Sequence, residues 1–324
     1  MRTVFNLVPA HSPELEGRIP TKMVVDAKGN LFFRWMYVGS KKFDEPFFSE
    51  SLLACLSFPQ NSSMPYTTVE TLLEKAKNID TVNPSAFIFH ISRCGSTLLS
   101  QMLCCDERMI VLSEVPLLDE VLRLSFSNPD KQFPVQELYF ALLKLLGQKR
   151  SGKEEFLFVK TDSWHLHFFE TLRNYFSQLP FLLLYRSPQE VIRSQQKQKG
   201  MHAVTGLLEP GIFGFISNEL EEVSMDKHLE RVLEGYFQKM LHILATDKNS
   251  TPISYHDGVM EMMKRTLETC RISITPETFA AMQIRTQTHS KNPSHVFSPE
   301  EIIPPTAASS HLEKLYQQLG RLEM

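Results

Sequence analysis

Ala86-Phe-Ile-Phe-His-Ile-Ser-Arg-Cys-Gly-Ser-Thr-Leu98 decides the fold. The run from Ala86 to Ile91 is apolar and strand-sized, and Ser92–Leu98 breaks it into a tight loop that enters a helical pattern over Ser96–Cys105. A strand that passes into a helix through such a loop gathers several backbone N–H groups on one point. The helix end adds partial positive charge, so an oxyanion can be held there. Gly95 lets the backbone approach a ligand, Arg93 supplies permanent charge, and Ser96 and Thr97 supply hydroxyl donors and the helix cap. Taken alone, the segment also reads as a serine-rich turn without a ligand.

Downstream, short apolar runs alternate with amphipathic patterns. Strands are expected at Phe156–Val159, Phe181–Tyr185 and Pro252–Tyr255, and helices at Val135–Leu146, Trp164–Ser177, Pro188–Lys197, Leu220–Leu244 and Val259–Cys270. This alternation predicts an α/β fold with a mostly parallel sheet, whose ligands bind beyond the carboxyl ends of the strands. Upstream the pattern differs: Lys22–Val25, a turn at Asp26–Asn30 and Leu31–Val38 read as a β-hairpin, and Thr68–Lys77 has helical spacing. Residues 1–80 are therefore expected to form an accessory segment packed on a domain of residues 81–324. Gly200–Gly214, rich in glycine, is expected to be a mobile lid or acceptor loop.

The 324 residues are 42% hydrophobic and 22% charged with a net charge of -3, which suits a soluble globular protein and not a general nucleic-acid binder. The first residues carry no export-signal pattern, and the longest apolar runs, Ser85–Ile91 and Leu179–Tyr185, fall far short of the roughly 20 residues of a membrane helix. Five cysteines at irregular spacing, including the Cys104–Cys105 pair expected in the core, give no disulfide framework and no zinc ribbon. A reducing, cytoplasmic setting is the expectation. Within the loop, Ser96 follows Gly95 where a nucleoside-triphosphatase loop places lysine. The strand Phe181–Tyr185 ends in Arg186 and not in a magnesium-binding aspartate. Both departures point to a donor handled by arginines and dipoles without metal.

On these residues the sequence resembles the sulfotransferase superfamily, whose 5′-phosphosulfate loop reads roughly [PS]-[RK]-S-G-[ST]-T-L; Ser92–Leu98 matches it except at Cys94. A second family element is a strand-end arginine followed eight residues on by a serine, both on the 3′-phosphate, and Arg186 and Ser194 match it. Pro188 suits the first turn of the intervening helix, and two turns on Ser194 lies on the side of its entrance. Arg193 beside it is expected to face solvent. Ile253–Asp257 resembles the family's strand ending in Y-x-D, a structural element, and Thr288–Pro293 its late loop, with Lys291 the expected 3′-phosphate contact and Ser290 a further one. The resemblance covers roughly residues 85–295. It implies a P-loop-like three-layer α/β sandwich and a metal-independent enzyme that uses 3′-phosphoadenosine 5′-phosphosulfate (PAPS) and releases 3′-phosphoadenosine 5′-phosphate (PAP).

Sulfuryl transfer needs a base for the attacking acceptor. Glu114 stands where the tyrosylprotein-type and several bacterial carbohydrate sulfotransferases carry a glutamate base, although as a helix-start carboxylate it also suits the helix dipole. Phe158-Val-Lys-Thr161 resembles the strand of the cytosolic branch, but Asp162 occupies the place of that branch's histidine. Asp162 could serve as base or cap the next helix, His165 could turn inward, and Lys160 could touch the transferring group. His167 should face away from His165, so no metal pair is expected. The expected acceptor is a small molecule or carbohydrate bearing a hydroxyl or amine. Two rival readings are a P-loop phosphotransferase or nucleotide kinase with a degenerate loop, and a non-catalytic nucleotide-binding protein of the same fold.

Overall fold

In the computed structural model, which describes residues 5–127, 131–215, 224–288 and 309–323, the strands are β1 (Arg18–Val25), β2 (Leu31–Tyr37), β3 (Tyr66–Thr68), β4 (Pro84–His90), β5 (Met109–Ser113), β6 (Phe156–Lys160), β7 (Phe181–Tyr185) and β8 (Ser250–Ser254). The helices are α1 (Phe48–Cys55), α2 (Val69–Lys77), α3 (Ser96–Leu103), α4 (Pro116–Leu122), α5 (Leu124–Ser127), α6 (Val135–Leu146), α7 (Phe169–Tyr175), α8 (Pro188–Lys197), α9 (Met225–Thr246), α10 (Val259–Thr269), α11 (Pro276–Arg285) and α12 (Ser310–Glu323). β1-β2-β3 form an antiparallel sheet, and the remaining strands form a parallel sheet in the order β5-β6-β4-β7-β8. This is the α/β class expected from the alternating pattern, with the hairpin in a sheet of its own. Among the described residues no helix is long and apolar enough to cross a membrane.

The chain divides into two compact units, residues 1–85 with 106–159 and residues 86–105 with 160–324. The first takes in the hairpin and, beyond residue 80, everything from Asp106 to Val159. Its β1–β2 turn is closed by the Asp26 carboxylate, which accepts from the backbone N–H groups of Lys28 and Asn30, each at 2.8 Å. Gly29 supplies the positive φ of 87° that this turn requires. Trp35 of β2 is wholly buried and its indole donates to Thr67 Oγ1 of β3 at 2.9 Å. The α6 helix packs against α2 and α4. β5 is buried along its whole length, and Pro116 starts α4 three residues after its end.

In the second unit β4, β7 and β8 run parallel, with Phe87 opposite Phe181 and Phe181 opposite Ser250. Every residue of β7 is buried, which is why it reads as an unbroken apolar run and not as an alternation. Phe87, Phe89, Phe169 and Phe181 form an aromatic cluster with ring centroids 5.1–5.7 Å from the Phe181 ring, each ring contributing on the order of 2–3 kcal/mol by burial. Pro252 can sit in β8 because that strand lies at the sheet edge, where a missing N–H breaks no ladder. The α3 helix packs on α10 and α11, and α12 packs on α9.

Two helices depart most from their expected bounds. Trp164–Ser177 splits into a 3-10 turn, Ser163–Phe168, and the short α7. The helix expected at Leu220–Leu244 is described from Met225 and runs on to Thr246, and residues 216–223 lie outside the described residues. Gly200–Gly214, expected as a mobile lid or acceptor loop, contains 3-10 turns at Met201–Ala203 and Pro210–Phe213 and buries His202, Ala203, Leu208 and Ile212.

Candidate functional site

The loop after β4 owes its shape to an unusual run of backbone angles. Ser92 and Arg93 have φ of 67° and 53°, and Gly95 has 82°. The left-handed region costs a side-chain-bearing residue roughly 1–2 kcal/mol, so Ser92 and Arg93 need support. Ser92 has it twice. Its N–H donates to His90 Nδ1 at 3.0 Å, and its hydroxyl accepts from Gln195 Nε2 of α8 at 3.1 Å. Because His90 Nδ1 accepts, the ring hydrogen is on Nε2, which donates to the Thr161 carbonyl at 2.8 Å. His90 is thereby a neutral strut between the loop and the residue after Lys160.

Gly95 is irreplaceable for two reasons. Beyond its φ, a Cβ there would lie 2.7 Å from the Tyr255 ring. It also occupies the N-cap position of α3 without a side-chain cap, which corrects the capping role expected of Ser96 and Thr97: they are the first two helical residues. Cys94, Ser96 and Leu98 are buried, while Ser92, Arg93 and Thr97 are half-buried. The Cys94 thiol donates to the Leu184 carbonyl at 3.4 Å, and burial pushes its pKa up to about 11 despite Lys160 and Arg186 nearby. Its side chain is therefore a packing group. The cysteine in place of serine costs the loop no outward donor; Cys94 can offer an anion only its backbone.

Arg186 leaves the end of β7 and turns toward this loop. Its Nη1 donates to the Arg93 carbonyl at 3.3 Å, its Nη2 pairs with Glu190 Oε1 at 3.0 Å, and its guanidinium lies 4.3 Å from the Tyr255 ring centroid. Tyr255, read from sequence as a structural element, thus touches both Gly95 and Arg186. Arg93 itself donates to the Gln198 carbonyl at the end of α8. Burial would raise the Glu190 carboxyl, but Arg186, the Ser187 hydroxyl and His256 outweigh it and hold the pKa below the ordinary value. α8 begins with Ser187 as its capping hydroxyl and Pro188 in the first turn, and carries Ser194 half-buried near its far end. Arg193, expected to face solvent, is half-buried, and its Nε has no partner among the described residues.

After β6, Lys160, Asp162 and His165 are all buried, at 1%, 8% and 2% exposure. Asp162 occupies the N-cap position of the 3-10 turn, yet its side chain makes no capping bond; its carboxylate lies 3.9 Å from His165 Nε2 instead. The capping role is corrected to an acid–imidazole pair, and His165 does turn inward. His167 parts from it to pack on Phe213 and Tyr236. Glu114 belongs to the first unit, at the carboxyl end of β5, half-buried with φ of 54°. Lys291 and Ser290 lie outside the described residues.

The structure therefore unites Ser92–Leu98 with Arg186, and Asp162 with His165. Sequence reasoning missed His90, Glu190, Gln195 and Tyr255. A histidine ending the strand before the loop was the one available signal, for His90; Gln195 and Tyr255 act through contacts between distant segments, and Glu190 through Arg186 and Ser187 beside it.

No protein-family model and no curated protein matches the chain. Solved structures that it resembles include several sulfotransferases. The sulfotransferase domain from the curacin biosynthetic pathway is 16% identical with a TM-score of 0.48, over 74% of this chain and 99% of that one. Sulfotransferase STF9 from Mycobacterium avium is 13% identical with a TM-score of 0.48, over 76% and 78%. Mouse sulfotransferase SULT7A1 complexed with PAP is 12% identical with a TM-score of 0.39, over 79% and 90%.

Proposed function

We propose that the chain is a sulfotransferase that moves a sulfuryl group from PAPS to a hydroxyl or amine. The observation that carries this reading is the hydrogen bond from Arg186 to the Arg93 carbonyl. It joins the arginine suited to a 3′-phosphate to the loop suited to the 5′ end, so that one nucleotide phosphorylated at both ends would satisfy both. The loop amides, Ser92, Arg93 and Thr97 hold the 5′-phosphosulfate, and Arg186, Ser194 and Lys291 hold the 3′-phosphate. The acceptor oxygen or nitrogen attacks sulfur in line, the new bond to sulfur forms, and the bond from sulfur to the 5′-phosphate oxygen breaks. PAP leaves with the electron pair, stabilised by the loop and Lys160, and the acceptor's proton passes to a base.

Glu114 is the first choice of base. A half-buried carboxylate held at positive φ on a strand end is a strained conformation of the kind that clusters at active sites. A second assignment, His165 with Asp162 behind it, is favoured by their 3.9 Å approach. Calorimetric titration with PAP and with ATP, each with and without magnesium, tests the donor: binding of PAP without magnesium is expected, and preference for ATP would sink the reading. Sulfate transfer to pooled metabolites then separates the bases. Glu114→Gln should lower kcat by about 100-fold or more, whereas full activity in Glu114→Gln with loss in Asp162→Asn would assign the histidine pair.

A further inference from the structure

Gln195 is completely buried, and its hydrogen bonds leave no choice of orientation. The Gly200 backbone N–H can only donate, and it lies 2.7 Å from Gln195 Oε1, so the amide NH2 faces the other way. That group meets Ser92 Oγ at 3.1 Å and His202 Nε2 at 3.2 Å. Since it too can only donate, His202 Nε2 carries no hydrogen. The imidazole hydrogen is on Nδ1, directed to Ser163 Oγ at 3.3 Å, which also accepts from the Tyr236 hydroxyl at 3.3 Å. The chain of contacts thus runs from the phosphate loop through Gln195 to His202, and on to α9. The His202 carbonyl takes a further bond from His228 Nε2 at 3.1 Å. Between His202, Leu208, Phe213, Phe215 and His228 there remains only a cavity of about 10 Å³, room for about one water.

We propose that Gln195 is a positioning residue that latches Ser92 of the phosphate loop to Gly200 and His202, so that anion occupancy of that loop and the order of residues 200–215 form one coupled equilibrium. The identity of the anion rests on the sulfate-donor reading; the latch itself does not. Coupling is reciprocal. A ligand that fixes Ser92 tightens the 200–215 segment, and loosening that segment weakens the ligand.

The test uses the full chain with PAP as probe. In the wild type, PAP should slow amide hydrogen exchange over both 92–98 and 200–215. Gln195→Met keeps the bulk and removes the hydrogen bonds. It should exchange faster at Gly200 without ligand, bind PAP about tenfold more weakly, and keep PAP protection over 92–98 while losing it over 200–215. Gln195→Glu keeps an oxygen for Gly200 and removes the donor, so it should restore slow exchange at Gly200 alone, and it serves if the methionine variant fails to fold. Imidazole ¹⁵N shifts should place the His202 hydrogen on Nδ1. Protection of 200–215 that survives in Gln195→Met and Gln195→Glu, or a His202 hydrogen on Nε2, overturns the latch. A wild type that binds no PAP overturns the donor reading instead. The latch is then decided without ligand, where unchanged exchange at Gly200 in Gln195→Met removes it.

Discussion

Arg186 holds a loop carbonyl, a carboxylate and an aromatic face together. Arg186→Ala is expected to weaken PAP binding by roughly 2 kcal/mol, about thirtyfold, as read by calorimetry. Arg186→Lys should recover little, because an ammonium can neither fork nor stack in the same way; wild-type affinity in the lysine variant would remove Arg186 from the 3′ grip. Cys94 makes the opposite prediction. With its thiol turned inward and its pKa near 11, only about one molecule in a thousand carries the thiolate at pH 8. The native chain should therefore resist alkylation there, and Cys94→Ser should leave PAP affinity within about twofold. Arg186 and Ser194 were singled out by their resemblance to the family's strand-end arginine and following serine, and the structure brings Arg186 to the loop. Tyr255 and Gln195 were not legible, because each acquires its role from a segment tens of residues away, and Glu190 was not, because its pairing depends on how Arg186 turns back over the first turn of α8.

At the scale of elements, the strand–loop–helix unit from β4 to α3 was readable because three independent signals coincide there: a buried apolar run, a glycine and an amphipathic pattern. Its dependence on Gly95 is the sharpest element-level prediction. Gly95→Ala adds a methyl group into the Tyr255 ring and forces a side chain to a φ of 82°. It should cost about 1–3 kcal/mol of stability and abolish detectable PAP binding, with thermal unfolding and calorimetry as the two readouts. The α8 helix matched its expected bounds, capped by Ser187 and started by Pro188. β5 escaped notice as a strand because its apolar run is short and Glu114 follows at once. The 3-10 turn at Ser163–Phe168 escaped because burial of Trp164, His165, Leu166 and Phe168 together leaves no helical face to read.

For the molecule as a whole, acid should act through His167 and Glu154 in different windows. In the second unit, burial, helped by Lys239, lowers His167 to about 4 from the ordinary 6.5. The unfolded chain therefore binds the extra proton, and stability falls as the pH drops from about 6.5 toward 4. In the first unit, burial would raise Glu154, but backbone N–H groups of Ser151 and Arg150 hold it down to about 2. Its contribution is complete above about 4.5 and is lost progressively as the pH falls from there to about 2. His167→Phe should flatten the upper window and Glu154→Gln the lower; urea unfolding across pH gives the comparison, and a single shared window would contradict it. The parallel sheet and the hairpin were foreseeable from periodicity, whereas the grouping of 106–159 with the N-terminal residues was not, since it depends on chain-distant packing.

The chain has two tryptophans, Trp35 in the first unit and Trp164 in the second. Each unit thus carries its own optical label, one buried in the hairpin sheet and one in the turn that Asp162 precedes and His165 belongs to. With Trp35→Phe the remaining emission reports on the turn beside the candidate base, and with Trp164→Phe it reports on the hairpin, so one fluorimeter can follow either half of the molecule by itself.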